Sequence, residues 1–193
     1  QDIDWDSVRS EIKIANRLLN LQDKVARAKV KHFSFGNHEE RLALFREQHR
    51  EYWRKNFSAM PYLMRDLGLK ARGYITHGQN DLYSVGKLHF FHGHDYSTHH
   101  ARKNLADLEC NVVYGHVHSP QRYSKVVRVS GQPKSAWSIG CLCSRNPEWK
   151  HGAPNAWING FAIYYVLPNG RFNLYPIDIV AGQFVAPSGR LYH

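Results

Sequence analysis

The sequence of 193 residues lacks any hydrophobic run that could span a membrane. Its longest apolar stretches, such as residues 161–167, fall far short of the about 20 residues that a membrane-spanning helix needs, so we expect no membrane association. The chain also lacks an initiator methionine, and its start has neither the basic flank nor the apolar core of a signal peptide. We therefore expect a cytoplasmic protein from which an upstream segment is missing.

Cysteine is scarce, and the chain has no internal repeat and no low-complexity linker. Cys110, Cys141 and Cys143 are an odd number of cysteines with no Cys-x-x-Cys motif, which argues against a disulfide scaffold and against a zinc ribbon. We interpret them as buried, reduced thiols. The length and the absence of repeats predict one domain over residues 1–193.

Positive charge and histidine are abundant. The chain has 26 Lys and Arg against 16 Asp and Glu, a net charge of +10, and 13 histidines. The positive charge favours a polyanionic partner. Histidine is a common ligand of transition metals and titrates near neutral pH, so its surplus favours a metal site or an acid–base site.

The pattern of apolar residues predicts an α/β fold. The first part of the chain alternates helices and strands, and the last third reads as antiparallel strands. Predicted helices cover residues 6–29, 39–55, 61–68 and about 98–108, with Ser97 or Thr98 as the cap of the last one. Predicted strands cover residues 30–35, 83–85, 87–91, 111–114, 125–129, 135–139, 160–167 and 172–179, with a hairpin turn at residues 168–170.

Three of the predicted strands run directly into loops that carry histidine. These loops contain Asn37 and His38, His92 and His94, and His116 and His118. Ligands of open α/β sheets bind beyond the carboxyl ends of the strands, so we expect the three loops to meet there. Imidazole nitrogens with an amide oxygen suit intermediate divalent ions such as Mn²⁺, Fe²⁺, Zn²⁺, Co²⁺ or Ni²⁺, and a metal site follows as the prediction.

Gly36-Asn37-His38-Glu39, His92-Gly93 and Gly115-His116-Val117-His118 resemble, in order and spacing, the last three motifs of the calcineurin-like metallophosphoesterases. The resemblance covers residues 30–119 and extends in looser form through the β-rich C-terminal third. It has the look of phage-encoded members, which would act in the host cytoplasm. It implies a four-layer αββα sandwich, in which two packed mixed sheets are flanked by helices.

The same resemblance implies the chemistry. Asn37, His92 and His116 would ligate one metal ion and His118 a second, with Mn²⁺ favoured at both. His38 would protonate the leaving oxygen or steady the pentacoordinate phosphorus. Two such ions clamp the attacking and leaving oxygens and lower the pKa of a bridging water, which becomes the nucleophile.

The first motifs of that family are absent. No Asp is followed two places later by His, and no Gly is followed by Asp. The missing residues would ligate the first metal and bridge both. We therefore expect that the N-terminal strand block is lacking and that this chain alone holds at most one metal weakly and is nearly inactive. The alternative is a degenerate member that keeps the fold and binds partners.

The substrate is less constrained by the sequence. Arg41, Arg46 and Arg50, in the predicted helix after His38, and His94 are candidate contacts for the phosphates of nucleic acid or a nucleotide. The alternative for the helix is a solvated face on which Glu47 pairs with Arg50. Tryptophans 137, 149 and 157 could stack on bases, although core packing is the simpler interpretation. A phosphomonoester or phosphoprotein substrate, or a catalytically silent binding module, also fits.

Overall fold

The computed structural model describes residues 5–51, 54 and 67–193, and the chain forms two compact units, Gln1–Gly78 and Gln79–His193. Over the described residues the fold is mixed α/β. The helices are α1 (Trp5–Ala26), α2 (Asn37–Gln48) and α3 (His100–Leu108), with a short 3₁₀ turn at Glu148–Lys150. The strands are β1 (Lys31–Ser34), β2 (Tyr74–His77), β3 (Tyr83–Val85), β4 (Leu88–Phe91), β5 (Val112–Tyr114), β6 (Gln121–Val126), β7 (Pro133–Ser138), β8 (Gly160–Val166), β9 (Phe172–Asp178), β10 (Phe184–Val185) and β11 (Leu191–Tyr192). None of the helices in these described ranges is long and apolar enough to cross a membrane.

In the first unit, one side of α1 packs against a small core. Leu19 is buried against Leu67, Leu69 and Tyr74, with Ile12 partly buried beside it. Other apolar residues of the helix remain exposed, among them Ile14, Leu18, Leu21 and Val25. The predicted helix is confirmed, but only some of its apolar residues pack against this core.

Strands β1 and β2 form a parallel pair in this unit, in which Ser34 lies opposite His77. Asp23, near the end of α1, binds Lys31 of β1 at 2.7 Å and Arg72 at 2.9 Å. These two cations lower the pKa of the Asp23 carboxyl. Asp23 therefore links the helix to the strand and to the turn that precedes β2. The sequence patterns did not predict β2, Tyr74–His77.

Helix α2 is shorter than predicted. It ends at Gln48, and His49 leaves the helical conformation with φ −119° and ψ 43°. Arg46 and Arg50 therefore do not belong to one uninterrupted helix, contrary to the prediction of a helix over residues 39–55. The predicted helix at residues 61–68 lies largely outside the described residues.

The second unit is built on a five-stranded mixed sheet with the strand order β3-β4-β5-β7-β6. Strands β4, β5 and β7 are parallel to one another, while β3 and β6 run antiparallel at the two edges. Helix α3 connects β4 to β5, as a crossover between parallel strands requires. Because β4 and β5 are adjacent and parallel, the loops after Phe91 and Tyr114 emerge at the same edge of the sheet.

Both faces of this sheet are covered. On one face, Leu105 of α3 packs against Val112 and Tyr114. On the other, Val113 and Trp137 pack with Phe172 and Leu174 of β9, and β9 pairs with β8 in a separate antiparallel sheet. Alternate residues of β5 therefore face opposite layers, as the pleat of a strand dictates.

Several local predictions in this unit are confirmed and some are shifted. The hairpin at residues 168–170 connects β8 to β9 as expected. The strand expected at residues 125–129 lies at Gln121–Val126 instead. Helix α3 begins at His100, and neither Ser97 nor Thr98 caps it with a side-chain hydrogen bond.

Candidate metal centre

Two of the predicted metal ligands come together at the edge where β4 and β5 end. His92 follows β4 and His116 follows β5, and Nε2 of His92 lies 3.1 Å from Nδ1 of His116. The backbone N–H of Gly115 donates to the carbonyl oxygen of His92 at 3.0 Å. The two loops are thus tied together by the backbone as well as by the imidazole rings. The two loops therefore lie side by side as expected, and metal binding by His92 and His116 stays a prediction.

The two nitrogens lie at hydrogen-bonding distance, and this distance is also that of two nitrogens that ligate one ion. Two imidazole nitrogens on a single divalent ion at about 2.0–2.1 Å lie about 3.0–3.4 Å from each other. The close approach depends on Gly93, which has φ +100° and where a Cβ would meet Tyr114 Cδ2 at 3.1 Å and His116 Cβ at 3.2 Å. A side chain at position 93 would therefore push the two loops apart.

The histidines of the loop after β5 have unusual backbone conformations. His116 has φ +61° and His118 has φ +64°, both in the left-handed region. That region is costly for residues with a Cβ, and such strain clusters at functional sites because the surrounding structure must hold it. Among the described residues, four others that are not glycine share this region, Arg27, Glu109, His151 and Ala181. In that part of the chain, only this loop has two such residues two positions apart.

His118 lies beside two thiols. The ligand atoms of His118, Cys141 and Cys143 all lie within 4.8 Å of one another. Nδ1 of His118 is 3.8 Å from Sγ of Cys143. Burial, together with the neighbouring Cys141 thiol, raises the pKa of Cys143 to about 11. All three cysteines are free, as expected, but Cys143 is exposed and Cys110 only partly buried, so the prediction of buried thiols is correct only for Cys141.

The sequence patterns missed the polar residues that support the histidine loops. Asp95 accepts a hydrogen bond from the backbone N–H of Ser97 at 2.7 Å and forms an ion pair with Lys103 of α3. These contacts hold the pKa of Asp95 well below its usual range. Asp95 thereby joins the loop after His92 to the helix. The sequence did contain a signal for this turn, since an Asp side chain often accepts a hydrogen bond from the backbone N–H two residues later.

A second supporting contact lies under the sheet edge. Nδ1 of His100 is 2.6 Å from the hydroxyl oxygen of Tyr114, and both side chains are buried. Burial lowers the pKa of His100 and raises that of Tyr114. This pair fixes the end of β5 immediately before the His116 loop.

Asn37 and His38 lie in the first unit, in the first turn of α2. The backbone N–H of Gly36 donates to Oε2 of Glu39 at 2.7 Å, which closes the start of the helix. Asn37 is partly buried and His38 is exposed. That Asn37 shares a metal with His92 and His116, and that His38 acts on a substrate there, stay predictions.

The predicted substrate contacts are distributed as follows. Arg41 and His94 are exposed, and Arg46 is partly buried. Arg50 is paired with Glu47 at 2.8 Å, and both side chains are largely exposed, which is the solvated arrangement considered as the alternative for this helix. Substrate binding by these four residues stays a prediction.

The described residues of the first unit hold a further histidine pair that the sequence patterns did not indicate. Nδ1 of His32 in β1 lies 2.8 Å from Nε2 of His77 in β2, and the rings stack with centroids 5.1 Å apart. Only the parallel pairing of the two strands brings them together, since 45 residues separate them.

No protein-family model matches this chain, and neither a curated protein nor a solved structure matches it. The chemistry of the residues themselves therefore carries the functional argument.

Proposed function

We propose that this chain belongs to a metal-dependent phosphoester hydrolase that acts on phosphodiesters of nucleic acid or nucleotides. The observation that carries the proposal is the pair of His92 and His116, whose nitrogens lie 3.1 Å apart at the ends of adjacent parallel strands. The motif order around Asn37 and His118 adds the link to phosphoester chemistry.

Each residue has a separate role in this proposal. His92 and His116 would hold one divalent ion, to which the motif resemblance adds Asn37, and His118 would hold a second. A bound divalent ion would supply Lewis acidity and a water of lowered pKa. His38, which is exposed, donates a proton to the oxygen of the leaving group. No covalent intermediate with the protein is required.

We also propose that the fold is the four-layer sandwich of the calcineurin-like metallophosphoesterases. Its support is the packing of the β8–β9 sheet on the face of the five-stranded sheet opposite α3, through Trp137, Phe172 and Leu174. This arrangement places two sheets face to face with a helix outside one of them.

Aromatic residues beside His118 favour a nucleic-acid substrate. The ring of Trp157 contacts that of His118, with centroids 4.3 Å apart, and Trp149 lies 5.9 Å from Trp157. Trp149 is 63% exposed, whereas Trp137 is buried, so the expectation of core packing is wrong for Trp149. Nζ of Lys150 lies 4.5 Å from the Trp157 ring centre. The exposed ring of Trp149, with Nζ of Lys150 5.7 Å from its centre, is suited to stacking on a base beside a phosphate.

A catalytically silent binding module is the second candidate, and the sequence supplies its support. The chain contains neither an Asp-x-His nor a Gly-Asp sequence, so it lacks the carboxylates expected to complete the first metal and bridge both ions. The Gly-Asn-His-Glu sequence at residues 36–39 also fits phosphatases that act on monoesters. One experiment separates these functions.

The experiment combines Mn²⁺ titration by calorimetry with turnover of bis- and mono-nitrophenyl phosphate. We expect one Mn²⁺ site and slow, preferential hydrolysis of the diester. His92→Ala should abolish both metal binding and turnover. His38→Ala should retain the metal and lose turnover by at least about a hundredfold, the range of general acid–base catalysis. His99→Ala, an exposed histidine outside the cluster, serves as the control and should change neither.

Each alternative gives a different result. Preference for the monoester would indicate a phosphatase. Mn²⁺ binding without turnover of either ester would contradict the hydrolase and favour the binding module. Loss of metal in His38→Ala would contradict the role given to His38.

A further inference from the structure

The cluster of His118, Cys141 and Cys143 is chemically different from the pair of His92 and His116. Two of its ligand atoms are sulfurs, and all three lie within 4.8 Å of one another. Cys141 is buried, His118 is partly buried, and Cys143 is exposed. The cluster is therefore anchored on its inner side and open to solvent on its outer side.

We propose that His118, Cys141 and Cys143 bind one thiophilic divalent ion, with Zn²⁺ as the natural occupant and one coordination position left open. This site does not rest on the proposed hydrolysis, although it shares His118 with it. If both proposals hold, the ion held by His118 is a thiolate-bound zinc and not a second Mn²⁺.

The distances support this ligand set. In tetrahedral zinc sites, sulfur at about 2.3 Å and nitrogen at about 2.0–2.1 Å from the ion place neighbouring ligand atoms about 3.5–3.8 Å apart. Nδ1 of His118 already lies 3.8 Å from Sγ of Cys143. No separation in the cluster exceeds 4.8 Å, so each pair of ligand atoms would have to approach by no more than about 1 Å to reach the tetrahedral spacing.

The choice of metal follows from the donor atoms. Two soft thiolates with one imidazole select zinc over the harder Mn²⁺ and Mg²⁺. Three protein ligands with an open fourth position are typical of catalytic zinc sites, whereas structural sites use four. On binding, the S–H bonds of Cys141 and Cys143 are replaced by sulfur–metal bonds, and both protons pass to the solvent.

The backbone holds the three ligands together from segments that are distant in sequence. The N–H of Ile158 donates to the carbonyl oxygen of His118 at 3.1 Å, and the N–H of Cys141 donates to the carbonyl oxygen of Ile158 at 3.0 Å. Residue 158 thus connects the histidine to the first cysteine. The ligands are positioned before any ion arrives, which reduces the entropic cost of binding.

Asn159 supports the cysteine segment from outside the ligand set. Its Nδ2 donates to the carbonyl oxygen of Cys143 at 2.7 Å and to that of Cys141 at 3.2 Å. The same nitrogen lies 3.8 Å from Sγ of Cys141. Such contacts orient metal ligands, and their loss typically reduces metal affinity about 10- to 100-fold. Asn159 is therefore a positioning residue of the proposed site.

The test uses Co²⁺ as a spectroscopic probe for zinc. Titration of the reduced 193-residue chain should produce a cobalt–thiolate charge-transfer band that saturates at one equivalent and disappears when Zn²⁺ is added. Cys141→Ser and Cys143→Ser should each weaken Co²⁺ binding by at least about tenfold. Cys110→Ser is the matched control, since Cys110 is outside the cluster, and it should leave the band unchanged.

A second measurement uses the unaltered chain and does not depend on the folding of a variant. One equivalent of Zn²⁺ should slow the alkylation of Cys143 by iodoacetamide by at least about tenfold, while Cys110 reacts at an unchanged rate, as followed by mass spectrometry of peptides. Absence of the cobalt band, an unchanged Co²⁺ affinity in Cys143→Ser, or equal protection of Cys110 would overturn the proposal.

His92→Ala distinguishes the two proposals. If both hold, this variant loses Mn²⁺ binding and diester hydrolysis but keeps the cobalt–thiolate band. If the band is absent and hydrolysis is present, only the thiolate site fails. If the band is present and no ester is hydrolysed by the unaltered chain, only the hydrolase fails.

Discussion

At the scale of single residues, backbone strain and buried polar contacts surround the histidine loops. His116 and His118 both adopt positive φ values, +61° and +64°. Just before this loop, the hydroxyl oxygen of Tyr114 lies 2.6 Å from Nδ1 of the buried His100. Asp95 connects the loop after β4 to α3. These polar contacts position the loops and add to the stability that the apolar core provides.

The buried His100 predicts a dependence of stability on pH. Burial lowers its pKa in the folded state, against the partial opposing effect of Asp95. As the pH falls through about 6.5, the unfolded state takes up this proton first, so the free energy of unfolding should fall by up to about 1.4 kcal/mol per pH unit. The stability from this residue is fully present above about pH 6.5 and is lost below it. Urea unfolding at several pH values measures the slope.

The variant His100→Gln tests whether His100 causes this pH dependence of the free energy of unfolding. Glutamine does not titrate, so the contribution of this position to the slope should disappear even if the variant is less stable throughout. An unchanged slope between about pH 7.5 and pH 5 would mean that other groups produce the dependence.

At the scale of elements, the position of a loop depends on how closely two backbones approach. Residues 141 and 159 form an isolated parallel bridge, and Gly140 precedes it. A Cβ on Gly140 would lie 2.2 Å from the carbonyl oxygen of Ile158 and 3.0 Å from the backbone nitrogen of Gly160. Since these are backbone atoms, no side-chain rotation can relieve the clash, and the cysteine segment would have to move.

We therefore expect Gly140→Ala to lower the free energy of unfolding by about 1–3 kcal/mol, the usual cost of overpacking. The displaced Cys141 should also weaken Co²⁺ binding. Gly115→Ala is the matched control, because its Cβ would come no closer than 3.9 Å to the carbonyl oxygen of His92. Calorimetric unfolding and cobalt titration measure the two effects, and equal behaviour of the two variants would contradict the steric argument.

At the scale of the whole molecule, the net charge of +10 should govern binding to nucleic acid. If phosphate contacts supply the affinity, the dissociation constant should rise by at least about tenfold between about 50 mM and 200 mM salt, as expected for release of about two counterions. Fluorescence anisotropy with a labelled single-stranded oligonucleotide measures this slope. Binding that barely changes with salt would contradict the electrostatic interpretation.

The same assay separates stacking from charge. Trp149→Ala should weaken binding by about 1–3 kcal/mol without changing the salt slope, because an indole ring contributes no charge. Tyr165→Ala is the control, since Tyr165 is exposed to a similar degree, 61% against 63% for Trp149, but lies in β8. An equal loss in both variants would show that exposed aromatic residues bind nonspecifically.

The sequence by itself determined the types of most elements and the loops that carry histidine. Helix α1, strands β4 and β5 and the turn between β8 and β9 follow from local periodicity and turn residues, which depend only on near neighbours. It did not indicate the short β2, the break at His49 or the true start of α3, because tertiary contacts decide such boundaries.

The strand pattern already predicts that the loops of His92 and His116 meet, but only the tertiary structure decided that β4 and β5 are adjacent and parallel, which brings the two rings into contact. His118 and Cys143 are 25 residues apart and meet because residue 158 hydrogen-bonds to both His118 and Cys141. Spacing along the chain carries no signal for the contact between His118 and Cys143, since it arises from backbone pairing between distant segments.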